Sequence, residues 1–100
     1  MNIEDIIGAI RHARAHIADH AQIEAQDDRL SQEDIFASVY QRQALEDYPN
    51  DSPLPSCLIY GNTYGQYPIH SVRAYDQEVG RAILITVYRP DPGSRMKQNR

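Results

Sequence analysis

The chain has 100 residues, of which 41% are hydrophobic and 24% charged, with a net charge of −4 and one cysteine. That length suits a single domain hiding roughly two-thirds of its unfolded surface, and the composition excludes a wholly disordered chain. A lone Cys57 excludes an internal disulfide, and no apolar run approaches the roughly 20 residues of a membrane span, so a cytoplasmic protein without a membrane partner is expected.

At the N-terminus, Ile3, Ile6, Ile7 and Ile10 recur at i, i+3, i+4, i+7, with Asn2, Glu4 and Asp5 as a cap and first-turn acids. This predicts a charged amphipathic helix to about Ala15, which reads as neither signal peptide nor anchor. Asp19 reads as the N-cap of a second helix over DHAQIEAQDD, whose apolar residues form no strong stripe. A third helix is clearer: Ser31 and Asp34 have capping-box spacing, Ile35, Phe36, Val39 and Tyr40 form an apolar face, and the end falls near Arg42.

ALEDYP then reads as a short strand, and NDSPLP as a turn cluster in which Pro53 and Pro55 forbid a helix. CLIYGNTY, YPIHSVRAY and AILITVY are rich in strand formers and are separated by turn residues at Gly65-Gln66 and DQEVG, which predicts three hairpin-linked strands. In a regular middle strand Ile69, Ser71 and Arg73 point one way and His70, Val72 and Ala74 the other. The expected fold is α+β, with N-terminal helices packed on a three- to four-stranded antiparallel sheet. One domain over residues 1–92 is followed by a basic tail at 93–100.

Charge is unevenly spread. Residues 1–56 carry eleven acids and four Arg, net −7, while residues 57–100 carry three acids and six Arg or Lys, net +3. The basic half is a candidate surface for an anionic partner, and the acidic half for a basic one, although solvated faces explain the same pattern. Arg73, Arg81, Arg89, Arg95, Lys97 and Arg100 stand with Tyr60, Tyr64, Tyr67, Tyr75 and Tyr88 in a basic and aromatic mixture suited to RNA, and also ordinary strand composition.

His12, His16 and His20 are spaced by four, but the cap at Asp19 puts His20 in a different helix, and no Cys or carboxylate completes a ligand set. No P-loop, dinucleotide or G-x-S-x-G fingerprint is present, so neither metal nor cofactor is expected. His20 and His70 lie at element boundaries or interiors. Each is either a structural ring bonded to backbone or a general acid or base, a role that imidazole suits because its pKa lies near neutrality.

Taken together, IADHA, SQEDI, EDYPNDSPLPSCLIYG, PIHSVRAYD and AILITVYRPDP resemble, in order and spacing over roughly residues 14–92, the bacterial domain-of-unknown-function family numbered 4258. The resemblance implies a helices-then-sheet layout like that of RelE/ParE-like toxins. It carries His20 onto the family's S-x-H-A element, His70 onto P-L-H-V, and Tyr88 with Arg89 onto the end of the last strand. The chain departs from the pattern at Ala18, where Ser or Thr is usual, and at YQRQALEDY, where a Gly-containing turn is usual.

Two functions are therefore expected to compete, with a metal-dependent enzyme using His12 and His16 as an outsider. One is a metal-independent toxin-type endoribonuclease, with His20 or His70 moving protons, Tyr88 aligning substrate, Arg73, Arg81 and Arg89 binding phosphate, and the acidic helices docking a basic antitoxin segment. The other is a non-catalytic interaction module in which both His are structural.

Overall fold

The computed structural model describes residues 2–90. Its elements are α1 (Ile3–Arg11), β1 (Ala15–Ile17), α2 (Asp19–Asp27), α3 (Gln32–Tyr40), β2 (Arg42–Tyr48), β3 (Ser56–Asn62), β4 (Pro68–Asp76) and β5 (Arg81–Tyr88). The fold is α+β as expected, but the sheet has five strands in the order β1-β5-β4-β3-β2. β1 runs parallel to β5 while the other pairs are antiparallel, so the sheet is mixed rather than a purely antiparallel one of three or four strands.

The extra strand explains where the first helix ends. His12 caps α1, and Ala13 takes a positive φ of 57°, which turns the chain out of the helix before Ala15. Ala15, His16 and Ile17 then pair with Ala82, Ile83 and Leu84. Asn2 caps α1 as expected, its side chain accepting from the Glu4 N–H. α2 starts one residue early: Ala18 is its N-cap and offers no side-chain hydrogen bond, while Asp19 lies inside the first turn, where a carboxylate favours the helix dipole. The Ser31–Asp34 capping box closes on both sides at 3.0 Å. The chain enters β2 at Arg42, earlier than the predicted strand.

All three helices cover one face of the sheet. Ile6 and Ile7 of α1 and Val39 of α3 bury Cys57, Ile59 and Ala82. Ala21 and Ala25 of α2 and Ile35 of α3 bury Ile69, Leu84 and Val87. α3 sits so close that a Cβ at Gly61 would overlap the Ser38 carbonyl oxygen, so only glycine allows that approach. Arg73 lies in this layer, 2% exposed, its Nη2 donating to the Ile35 carbonyl at 2.9 Å and its Nε to Ser71 Oγ at 3.3 Å. Burial lowers its pKa to about 10, which still leaves it cationic at neutral pH.

Strand alternation sends Ala44, Glu46, Tyr48, Leu58, Tyr60, His70, Val72 and Tyr88 to the opposite face, where none of the described helices packs. Between β2 and β3 the chain folds back over one end of that face, with Ser56 Oγ donating to Asp51 at 2.6 Å. None of the described helices is long and apolar enough to cross a membrane.

Candidate functional site

Register brings three rings into line on the open face. Tyr60 pairs with His70 across β3 and β4, and His70 pairs with Tyr88 across β4 and β5. The centroids of Tyr60 and His70 lie 4.6 Å apart at 84°, and those of His70 and Tyr88 5.4 Å apart at 73°. These edge-to-face contacts hold the imidazole between two phenols. Its half-burial lowers the His70 pKa below the usual value, because desolvation penalises the cation. His70 is therefore neutral at physiological pH and able to take a proton.

Glu46 organises the β2 side of this row. Its two carboxylate oxygens accept from the hydroxyls of Tyr48 at 2.6 Å and Tyr60 at 2.8 Å. Those bonds lower the Glu46 pKa, and the one to Glu46 pushes Tyr60 up to about 12, so the carboxylate stays ionised and the phenol protonated. Sequence reading missed Glu46. The only available signal was the alternation of Ala44, Glu46 and Tyr48 along a strand that had been read as starting later and bearing no site.

The other end of the row is fixed by a device spanning α2 and β5. β1 pairs only as far as Leu84, which leaves the edge of β5 that faces away from β4 without a strand partner beyond that point. Glu24 and Asp28 take over: the Val87 N–H donates to Glu24 at 3.3 Å and the Arg89 N–H to Asp28 at 2.8 Å. Four residues along a helix rise about 6 Å and two along a strand about 6.6 Å, so carboxylates at i and i+4 match alternate strand amides. Glu24 also accepts from the Thr86 hydroxyl. Tyr88 is held between the two anchored residues.

The sequence-predicted residues separate accordingly. His70 and Tyr88 come together, with Arg89 next in the chain and exposed. His20 is on α2, its side chain 74% exposed and its Nε2 3.4 Å from Glu24, so it belongs to the helix layer and touches the site only through the Glu24 anchor. Arg73 lies under α3 on the covered face, where its guanidinium cannot meet a ligand on the open one. Arg81 opens β5 beside Asp76, seven residues or roughly 20 Å of strand from Tyr88. His12, His16 and His20 sit on a helix cap, a strand and a second helix, and no metal-holding group of three or more His, Cys, Asp or Glu occurs among the described residues. Cys57 is buried, which pushes its thiol up to about 11 and leaves it without thiolate character.

What this arrangement offers is a neutral imidazole, two oriented phenols and a carboxylate on a sheet face that none of the described helices covers. Residues 17–89 match the model of a family described as a domain of unknown function (DUF4258), and no curated protein matches the chain. The matched span omits α1 but includes Glu46, Tyr60, His70, Tyr88 and the Glu24–Asp28 anchor.

Proposed function

We propose, from the premise that the chain belongs to the DUF4258 family, that its open sheet face is an acid–base site acting on RNA, a metal-independent endoribonuclease of the toxin type. The observation that carries the reading is the Tyr60–His70–Tyr88 row, with its neutral imidazole on an accessible surface. RNA brings its own nucleophile, so such a protein supplies only proton transfer and charge stabilisation. His70 takes the proton of a 2′-hydroxyl, whose oxygen attacks the adjacent phosphorus. The bond from phosphorus to the 5′-oxygen breaks, and the imidazolium returns the proton to that oxygen through water. Tyr88 aligns the ribose, Arg89 offsets the charge that builds on the phosphate, and the Tyr60 phenol, pinned by Glu46, fixes the ring plane of His70. His20 positions Glu24 and takes no part in the chemistry. Toxin-type activity also calls for an inhibitor, and the acid-rich first half of the chain suits a basic antitoxin segment.

A second reading, a non-catalytic interaction module, is favoured by the burial of Arg73 and the remoteness of Arg81, which leave the face with few cations. Labelled RNA incubated with purified protein in EDTA separates the two. Cleavage that survives EDTA, disappears in His70→Gln and persists in His20→Ala supports the ribonuclease. Intact RNA with the wild-type protein supports the module.

A further inference from the structure

The two edges of the sheet are finished differently. β1 on one side is three residues long, and beyond it the carboxylates of Glu24 and Asp28 accept from the Val87 and Arg89 N–H groups of the β5 edge. A short strand and a covered edge both protect a sheet against unwanted pairing. β2 on the other side has neither protection. It is a seven-residue strand that pairs only with β3, contains no Pro or Lys, and runs from Ala44 to Tyr48 without a register shift. Its outer row of N–H and C=O groups has no strand partner among the described residues.

Charge decides what fits there. Glu46, Asp47 and Tyr48 are exposed in succession, and alternation puts Glu46 and Tyr48 on the open face and Asp47 on the helix side. The strand's one cation, Arg42, is turned to α3, where its Nη1 donates to the Val39 carbonyl at 3.0 Å. A second copy of β2 laid alongside would add two carboxylates next to these two, a like-charge cost. A strand carrying adjacent basic residues would instead set one cation on each side, opposite Glu46 and opposite Asp47. On the open face the exposed ring of Tyr48, whose hydroxyl donates to Glu46, offers the stem of that basic residue a surface to lie on.

We propose that the outer edge of β2 receives an extended basic segment of a partner protein as an added strand, with two consecutive Lys or Arg residues opposite Glu46 and Asp47. Backbone pairing supplies the affinity, and the two carboxylates supply the choice of partner. The inference goes beyond the ribonuclease reading and does not rest on it, because the edge and its charge are the same whether or not the open face is catalytic.

The probe is the fluorescein-labelled peptide TVTKRVTV. Beside it stand an acidic twin, TVTEDVTV, and a twin of unchanged charge, TVPKRPTV, whose prolines cannot join a ladder. Fluorescence anisotropy with the full-length protein is expected to show binding of the first peptide, with both twins at least about tenfold weaker, and amide hydrogen exchange is expected to slow along β2 in that complex. The double variant Glu46→Lys, Asp47→Lys is expected to reverse the preference in favour of the acidic twin. Asp47→Lys alone, which leaves the Glu46 bonds to Tyr48 and Tyr60 in place, is expected to bring the two affinities together. Equal binding of the proline twin, slowed exchange confined to another element, or no binding of the basic peptide overturns the proposal. Self-association with slowed β2 exchange in the absence of peptide also overturns it, by giving the edge to a second copy of the chain.

Discussion

His70 is held neutral by burial between two phenols, and this has a consequence for stability as well as for chemistry. Its folded pKa lies below the unfolded one, so the unfolded state binds more protons in the interval between them. Stability contributed through this group therefore falls as pH drops below about 6.5, the ordinary value for His, and the loss is complete below the folded pKa. Urea midpoints of wild type and His70→Gln measured at several pH values are expected to diverge least in acid, where the wild type carries the buried cation. Glu46 gives a second residue-level prediction. Replacing it by Gln removes the ionised acceptor that raises Tyr48 and holds Tyr60 at about 12, so two tyrosines should titrate closer to the usual value near 10 in an ultraviolet pH titration. If Glu46→Gln leaves the tyrosine titration unchanged, the carboxylate is not what orients Tyr60.

At the scale of elements, the end of β5 depends on α2. Glu24→Ala should speed amide hydrogen exchange at Val87 and Asp28→Ala at Arg89, while exchange at Leu84, inside the stretch paired with β1, stays slow. Gly61→Ala should cost at least about 2 kcal/mol of stability, because its methyl group must push back the α3 backbone rather than a flexible side chain. Much at this scale was legible in the sequence, because the signals are local. The Ser31–Asp34 box, the isoleucine stripe of α1 and the turns at Gly65-Gln66 and DQEVG each act within a few residues. β1 was illegible for the opposite reason: three residues give no alternation to read, and their partners lie 67 positions away on β5.

The whole molecule sorts residues between two faces, and there sequence reading divides. Alternation in β4 correctly opposed Ile69, Ser71 and Arg73 to His70 and Val72, but it left open which set the helices cover. Arg73 was therefore read as a phosphate ligand when it fastens α3 to the sheet. The bulge between Val72 and Arg73 in the β4–β5 pairing, a matter of three-dimensional register, was equally hidden. His70 and Tyr88 were identified singly, but their contact, and the part played by Glu46 from another strand, needed the sheet to be assembled. Of the expected phosphate ligands only Arg89 is exposed next to Tyr88 in the chain, so the proposed ribonuclease rests mainly on proton transfer at His70. The direct test of that claim is the chemistry of the RNA ends produced in EDTA by the wild-type protein and by His70→Gln. Attack by the 2′-hydroxyl predicts 2′,3′-cyclic phosphate and 5′-hydroxyl ends with the wild type and none with the variant. RNA left intact by the wild type, or cut to the same ends by a folded His70→Gln, would contradict the account.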